Sequence, residues 1–279
     1  MPSASPTGGV LWIVATPLGN PGDFSPRARQ TLAEADLVLA EDTRRAGLLC
    51  AQCGIPVRRF VSFHDHNEAE KQPEVLRHLE AGGTAALVSD AGTPLVADPG
   101  YRLVRACRAA GVRVVPVPGP SAPVTALSAA GLPPLPYTFL GFLPRDAAGR
   151  AALFSAFRRT PGSLIFFERK DRLRESLEQA AEILGPRALA ICRELTKTHE
   201  EFILDRLENA AEAATDLLGE ITVIIGPPEE SGRSSREEAL GVLREELEDG
   251  GKPRECARRA AARLEGWSSK ELYALVREL

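Results

Sequence analysis

The sequence predicts an α/β protein with two α/β domains and a small helical segment after them. Three observations predict this class. Short apolar runs alternate with amphipathic stretches, a proline-rich stretch interrupts the alternation near residue 118, and a charged helical pattern begins after Pro228. We therefore expect an N-terminal domain at residues 1–118, a second domain at 119–228 and a helix-turn-helix-like segment at 229–279.

The N-terminal domain is predicted from four apolar runs, at residues 10–15, 37–40, 85–88 and 112–117. Such runs are typical of parallel strands that are buried on both faces. Amphipathic stretches at residues 25–35, 68–80 and 101–110 lie between them and predict helices. Ser25 followed by Pro26 marks the start of the first helix, because proline fits the first helical position. The order of elements is that of repeated βαβ units.

The second domain begins after a stretch with seven prolines at residues 116–136, which we interpret as the joint between the domains. Apolar runs at residues 137–142, 164–167, 188–192 and 221–225 predict its strands. Pro227 and Pro228 close the domain.

The last segment carries charges of both signs and apolar residues at helical spacing. Gly266 is predicted to end a helix at residues 253–265, and Ser268 with Glu271 forms a capping box that opens the final helix. The segment is locally basic, which suits contacts with phosphate groups, although an ordinary solvated helical face is the alternative. The arginines that we expect to make such contacts are Arg254, Arg258, Arg259 and Arg263.

Composition limits the possible functions. The 279 residues include 34 lysines and arginines against 38 acids, for a net charge of -4, so the chain has no global basic field and any contact with nucleic acid must be local. Five cysteines are an odd number spread thinly, which disfavours a disulfide framework and favours a reducing compartment. No apolar run approaches the length of a membrane span, and we expect a cytoplasmic protein.

Four loops after predicted strands carry unusual residues, at the sheet edge where open α/β sheets bind ligands. Prolines and glycines at residues 16–23 and 117–122 let a ligand approach backbone amides closely. Residues 89–100 include Asp90 and Asp98, which can accept hydrogen bonds from a ribose or an amino group, the alternative being an Asx turn or a helix cap. Residues 41–45 are a dense polar cluster or the capped start of a helix.

Several familiar sites are disfavoured. The patterns G-x-G-x-x-G, G-x-x-x-x-G-K-[ST] and G-x-S-x-G do not occur, which argues against dinucleotide enzymes, P-loop NTPases and serine hydrolases. Cys50 and Cys53 have no second pair nearby, so we interpret them as two thiols on a helix. His64 and His66 have no evident third ligand, so we expect substrate contact or simple solvent exposure. No metal is predicted.

Eight segments, taken in chain order, together resemble one family. They are IVATPLGN at residues 13–20, AEDTRR at 40–45, FHDHNE at 63–68, VSDAGTPLVADPG at 88–100, VPGPSA at 117–122, FLGFLP at 139–144, FFER at 166–169 and CRELTKTHE at 192–200. The chain resembles the small-subunit ribosomal RNA methyltransferase I family of the tetrapyrrole methylase superfamily. The resemblance covers about residues 11–225, and the helical segment is similar in kind.

The resemblance implies an S-adenosylmethionine-dependent enzyme that methylates the ribose 2′-oxygen of a cytidine in small-subunit ribosomal RNA, within an assembled subunit. It implies two α/β domains of the tetrapyrrole methylase type with the cofactor in the cleft between them, commonly as a homodimer, without a metal or a membrane. Carried over by position, the cofactor contacts are Leu18, Asp90, Gly92, Thr93, Ser121 and Ala122, with Phe167 and Leu195 from the second domain.

The acceptor side is predicted from polar residues on the same loops. Candidates to orient or deprotonate the ribose hydroxyl are Glu41, Asp42, His64, Asp98, Glu194 and Lys197. Of these, Asp42 and Asp98 are expected nearest the acceptor, with Glu41 and Lys197 as further catalytic candidates. Arg44 and Arg45 are expected at the RNA phosphates, together with Lys197 and His64 as RNA contacts.

Two other functions remain open at this point. A C-methylase acting on a tetrapyrrole shares the fold and the cofactor, so the fold alone does not decide. The AEDTR, SDAGTP and RELTK segments and the basic helical tail favour the RNA enzyme. A noncatalytic ribosome-binding factor that keeps an old cofactor cleft is the second alternative, which the intact loop glycines and polar residues disfavour.

Overall fold

The computed structural model describes residues 8–215, 217–229, 234–264 and 266–276. The chain divides into two compact units between Pro227 and Pro228. The first unit contains two five-stranded sheets with helices, so the predicted α/β class is confirmed. The predicted boundary near residue 118 falls between these sheets, inside one compact unit.

The first sheet is entirely parallel, as the buried apolar runs predict. Its strands lie in the order β3-β2-β4-β1-β5, so the carboxyl ends of all five meet at one edge. Apolar clusters pack on both faces. The strands are β1 at Val10–Val14, β2 at Leu37–Ala40, β3 at Phe60–Ser62, β4 at Thr84–Val88 and β5 at Arg113–Val117.

The first two helices of the N-terminal half, which contains the first sheet, begin at residues whose side chains cap them. The Ser25 side chain caps the first helix by accepting a bond from the Ala28 amide at 3.1 Å, with Pro26 at the first helical position, as predicted. Asp42 caps the second helix, so the polar cluster at residues 41–45 is a helix start. The elements are a 3-10 turn at Pro21–Asp23, α1 at Pro26–Glu34, α2 at Thr43–Gln52, α3 at Glu68–Glu80, α4 at Tyr101–Ala109 and α5 at Ala122–Ala129.

The second sheet is mixed, with the order β6-β7-β10-β8-β9 and a single parallel pair, β6 with β7, in the part that the structure describes. A short loop at residues 194–200 joins β8 to β9, and a connection that short pairs strands antiparallel. The strands are β6 at Tyr137–Phe142, β7 at Ser163–Glu168, β8 at Ala188–Arg193, β9 at Glu201–Arg206 and β10 at Ile221–Ile225; the helices are α6 at Ala147–Phe157, α7 at Lys170–Leu184, a 3-10 turn at Leu207–Asn209 and α8 at Ala210–Ala213.

One apolar cluster joins the two halves of the first unit and positions the site. Leu18, from the loop after β1, packs in it with Leu195, from the loop after β8. Ala126 and Leu127 of α5 belong to the same cluster, which also reaches Ile224 in β10. The carboxyl edge of the first sheet is therefore fixed against the second sheet by buried apolar surface.

The C-terminal unit is a small helical bundle with its own apolar cluster. It contains α9 at Arg236–Glu248, α10 at Pro253–Arg263 and α11 at Ser269–Leu275. Ser268 and Glu271 form the predicted capping box, and Gly266 has the positive φ, 69°, of a residue just after a helix. Residue 265, the predicted end of α10, lies outside the described residues. In the described part of the chain, no helix has the length and apolar character to cross a membrane.

Candidate functional site

A cavity of about 320 Å³ lies where the loops of the first sheet face the second sheet. Its walls are mostly apolar, and the exposed side chains of Glu220 and Arg169 add one carboxylate and one guanidinium. An apolar pocket with a few convergent polar groups is typical of a small-molecule site. The lining residues are Leu18, Ala91, Ala122, Phe142, Phe167, Glu168, Arg169, Leu195, Gly219, Glu220, Ile221 and Thr222.

Four of the eight residues predicted to contact the cofactor line this cavity: Leu18, Ala122, Phe167 and Leu195. The Phe167 ring packs edge to face against that of Phe142, with 5.3 Å between centroids. Phe142 is 56% exposed, so a planar ligand in the cavity would cover an aromatic face now in contact with solvent.

Two other predicted cofactor residues hold the loops together behind the cavity. Gly92 pairs with Thr16 through backbone bonds of 2.8 and 3.1 Å, which ties the loop after β4 to the loop after β1. The Thr93 hydroxyl donates to the Pro120 carbonyl at 2.9 Å, which ties the same loop to the loop after β5.

Ser121 and Asp90 also lie outside the lining of this cavity. Ser121 is the residue before α5, where its backbone carbonyl accepts the first helical bond, from Thr125, at 2.8 Å. The Asp90 carboxylate accepts bonds from the Arg45 side chain at 2.7 Å and from the Asp42 amide at 3.3 Å. Asp90 therefore connects the loop after β4 to the start of α2.

A second cavity of about 230 Å³ shares Leu18, Ala91 and Glu220 with the first. Its wall includes one face of α2, and Leu48 there is 62% exposed. The shared residues place the two cavities side by side. The second cavity is lined by Pro17, Leu18, Gly19, Pro21, Arg45, Leu48, Leu49, Gln52, Asp90, Ala91, Lys197 and Glu220.

Asp98 is half-buried beside other acids at the carboxyl edge of the first sheet. Burial raises its pKa to about 7, and the nearby carboxylates of Glu41, Asp90 and Asp65 add to this, while a hydrogen bond with the Ser89 side chain opposes it. Burial, together with Asp90 and Asp65, also raises the pKa of Glu41. A carboxylate with a pKa near neutrality is suited to accept a proton at physiological pH.

The loop that carries Asp98 is strained. Leu95 and Ala97 have φ values of 72° and 71°, a region that side chains other than glycine rarely adopt. In the described residues, the other two non-glycine residues with positive φ are Glu194 and Thr196, in the loop after β8. Strain of this kind collects at functional sites, where surrounding structure holds it in place.

The Asp42 carboxylate stabilises the start of α2. Its carboxylate accepts bonds from the Arg44 amide at 2.9 Å and from the Arg44 side chain at 2.9 and 3.2 Å. These bonds lower the pKa of Asp42 to about 2. A carboxylate that is this acidic and this well bonded is a poor proton acceptor at neutral pH.

Lys197 lines the second cavity and packs against the loop after β1. Its ammonium donates to the carboxylates of Glu194 at 3.0 Å and Glu220 at 2.7 Å, and its stem lies directly against Gly19. The two carboxylates raise the pKa of Lys197 in spite of the opposing effect of burial. The Lys197 charge is therefore held within the second half, where Glu194, whose pKa is lowered chiefly by a bond from the Glu220 amide, is one of its two partners.

His64 lies close enough to Glu41 to lower the pKa of that carboxyl electrostatically. Its buried Nδ1 has no hydrogen-bond partner in the described part of the chain, and its ring centroid is 6.0 Å from that of His66. No group of three or more His, Cys, Asp or Glu side chains that could hold a metal ion is present among the described residues.

The basic residues expected at RNA differ in their availability. Arg44 and Arg45 are exposed, but each pairs with an aspartate. In the C-terminal unit, Arg259 and Arg263 both bond to Glu246, so they hold α10 against α9. The Arg254 guanidinium lies 5.5 Å from the Tyr273 ring centroid, and Arg258 is exposed.

Eight residues that line the first cavity are missing from the sequence prediction. Phe142, Glu168 and Arg169 fall within the segments FLGFLP and FFER, so they could have been found there. Ala91 is likewise inside VSDAGTPLVADPG. Residues 219–222, at the start of β10, belong to no such segment and reach the site only through the sheet order.

Comparisons with known proteins identify the family of the chain. Residues 10–211 match the family model described as Tetrapyrrole (Corrin/Porphyrin) Methylases. A protein of Mesorhizobium japonicum named ribosomal RNA small subunit methyltransferase I is 44% identical over 99% of this chain and 94% of its own length. A protein of the same name from Escherichia coli O157:H7 is 43% identical over 97% of this chain and 96% of its own.

The solved structures show the same fold at low sequence identity. Uroporphyrin-III C-methyl transferase from Thermus thermophilus, complexed with S-adenyl homocysteine, superimposes with a TM-score of 0.57 at 20% identity. The match covers 78% of this chain and 97% of that protein.

Proposed function

Because the chain belongs to the tetrapyrrole methylase family and, over nearly its whole length, to the ribosomal RNA small subunit methyltransferase I proteins, we propose that it methylates small-subunit ribosomal RNA. The methyl donor is S-adenosylmethionine and the acceptor is the ribose 2′-oxygen of a cytidine. The observation that carries this function is the 44% identity that extends over 99% of the chain. That extent covers both sheets and reaches into the C-terminal unit.

The first cavity fits the proposed cofactor. Its walls suit an adenosine group, with apolar contacts from Leu18, Ala122 and Leu195 and an aromatic face from Phe142. The exposed Glu220 carboxylate and Arg169 guanidinium are available to a cationic, zwitterionic end, whereas the Glu168 carboxylate is buried and accepts bonds from Arg172 and Ser176. The missing phosphate-binding glycine motif agrees with a cofactor that has no phosphate.

The chain's own residues would hold the acceptor and move its proton. S-Adenosylmethionine supplies an activated methyl group on a sulfonium centre. Asp98 would accept the proton of the ribose 2′-hydroxyl as that oxygen takes the methyl group, with the methyl carbon–sulfur bond broken and the neutral thioether as the leaving group. Asp98 lies on the strained loop at residues 92–100, and holding two reactants in line accounts for a large share of a transfer rate.

Incubation with labelled S-adenosylmethionine tests the function. Purified protein would be given, in separate reactions, small ribosomal subunits, bare ribosomal RNA and a uroporphyrinogen-type tetrapyrrole. We expect the label on a ribose 2′-oxygen of a cytidine, with subunits preferred over bare RNA, since proteins recognise RNA largely by shape. Label on the tetrapyrrole would contradict the RNA function. Binding to subunits with no label on any acceptor would indicate a noncatalytic factor.

Assembly and location belong to the same proposal. A ribosomal RNA acceptor places the enzyme in the cytoplasm with the subunits, and the family resemblance favours a homodimer. Light scattering after size-exclusion chromatography measures the mass in solution. A mass equal to that of one 279-residue chain would contradict the homodimer.

A further inference from the structure

The outer face of α4 combines an aromatic ring with unpaired positive charge. Tyr101, the first residue of the helix, is 66% exposed, and Arg102 and Arg105 are exposed beside it. The helix contains three arginines and no acid. In a chain with a net charge of -4, this is a local basic surface of the kind that binds nucleic acid. We call Tyr101, Arg102 and Arg105 the α4 face.

The arginines of the α4 face differ from the others near the site. Neither Arg102 nor Arg105 forms an ion pair or a hydrogen bond with any residue that the structure describes. Arg44 and Arg45 each pair with an aspartate, and Arg108, the third arginine of α4, donates to the Val114 carbonyl. A guanidinium without an internal partner is free to meet a phosphate at no cost in lost ion pairs.

The position of this face follows from the fold. The helix starts at the carboxyl edge of the first sheet, three positions after Asp98 along the chain. The buried carboxylate of Glu68 accepts a bond from the Leu103 amide at 3.2 Å, which fixes the first turn of α4 against α3. Val96, on the strained loop before it, is 41% exposed. The helix start and the exposed part of the loop with Asp98 therefore lie next to each other at this edge of the sheet.

We propose that the α4 face binds the RNA strand beside the methylated nucleotide, with Tyr101 stacked on a neighbouring unpaired base and Arg102 and Arg105 on backbone phosphates. Aromatic side chains stack on single-stranded bases in this way, and arginines that contact phosphates set the position of the strand. This proposal rests on the function proposed above, and it adds the surface that positions the substrate.

Binding and turnover of three variants test the proposal, with intact small subunits as the ligand. The double variant Arg102→Glu, Arg105→Glu is expected to raise the Kd for subunits at least about 10-fold and to flatten its dependence on salt, because each lost phosphate contact lowers that slope by nearly one. Tyr101→Ala is expected to weaken binding about 5- to 160-fold, the range seen for one stacked base, while Tyr101→Phe keeps the ring and stays near wild type.

The matched control is Arg77→Glu. Arg77 is exposed in the last turn of α3, at the opposite edge of the sheet, and has no ion pair in the described part of the chain. The control should bind subunits like wild type, and all variants should keep wild-type affinity for S-adenosylmethionine. Wild-type subunit binding by the double variant and by Tyr101→Ala overturns the α4 proposal. A wild-type enzyme that neither binds nor methylates subunits overturns the proposed function itself.

Discussion

Asp98, which lines neither cavity, and Lys197, which lines the second, have opposite electrostatic surroundings. Burial and three nearby acids bring the pKa of Asp98 to about 7, whereas two carboxylates keep Lys197 protonated. A general base must be able to lose its charge and regain it near the working pH. Asp98 meets this condition, while Lys197 and the strongly acidic Asp42 are suited to structural roles.

Replacement of the proposed base should remove most of the activity. Asp98→Asn is expected to lower kcat by about 100- to 10,000-fold, the usual contribution of a general base. The wild-type rate should rise between pH 6 and pH 8, since only the ionised carboxylate accepts a proton and its pKa is about 7. Single-turnover methylation of subunits across this pH range measures both effects. A flat profile with active Asp98→Asn would exclude the role.

The same substitution should stabilise the protein at neutral pH. The folded-state pKa of Asp98, about 7, lies above the unfolded value of 3.8, so its contribution to stability is present below pH 3.8 and is lost as pH rises through 7. Asn cannot ionise and escapes this loss. We expect Asp98→Asn to raise Tm by about a few degrees at pH 8 and hardly at all at pH 4. Calorimetry without substrate checks this, and an equal shift at both pH values would contradict it.

At the scale of elements, the junction between the loop after β4 and α4 depends on one glycine. Gly100 has a φ of 120°, and a Cβ there would lie 2.5 Å from Cδ2 of the buried Leu87. A side chain at residue 100 would therefore cause both backbone strain and a clash with the core. This residue lies between Asp98 and the α4 face.

Gly100→Ala is expected to lower the free energy of unfolding by about 2 to 4 kcal/mol. Gly111→Ala is the matched control, because Gly111 has a φ of 73° and open space around its Cβ position, and should cost only about 1 kcal/mol. Urea denaturation at constant m-value measures both. Equal losses in the two variants would show that the contact with Leu87 contributes nothing.

Strands that are buried on both faces were easier to predict from the sequence than strands at the sheet edges. The four apolar runs of the first sheet were placed correctly, since strands buried on both faces carry a continuous signal. The edge strands β3 and β9 were missed, because β3 has three residues and β9, EFILDR, mixes polar with apolar residues. Antiparallel pairing in the second sheet also has no local signature.

The candidate site was predictable in the same uneven way. Leu18, Ala122, Phe167 and Leu195 lie in segments with a family resemblance, and all four line the cavity. Whether a charged side chain is free is decided by its partners in the fold, and no spacing along the chain reveals those partners. Arg259 and Arg263 were therefore expected at RNA, while both bond to Glu246, and the unpaired Arg102 and Arg105 were passed over.

The two compact units are expected to contribute separately to cofactor binding and to subunit binding. A chain that ends at Pro227 retains both sheets and every residue of both cavities. We expect it to fold and to bind S-adenosylmethionine like the full chain. Its Kd for subunits should rise about 2- to 10-fold, because Arg254 and Arg258 are removed while Arg259 and Arg263 already bond within the lost unit.

Parallel titrations of the full and shortened chains with subunits measure this difference. The matched comparison is the double variant of the α4 face, which should weaken binding more than the truncation does. Unchanged affinity of the shortened chain would remove the C-terminal arginines from the RNA-binding surface, and lost cofactor binding would show that the first unit depends on the second.

During synthesis, strand order decides when each sheet can form. β1 pairs only with β4 and β5, so it leaves the ribosome long before either partner exists. β10, the last strand of the first unit, lies between β7 and β8 and completes the second sheet after residue 225 has emerged. Until then β7 and β8 expose unpaired apolar edges that favour aggregation. A nascent chain interrupted before residue 221 is therefore a natural client for chaperones.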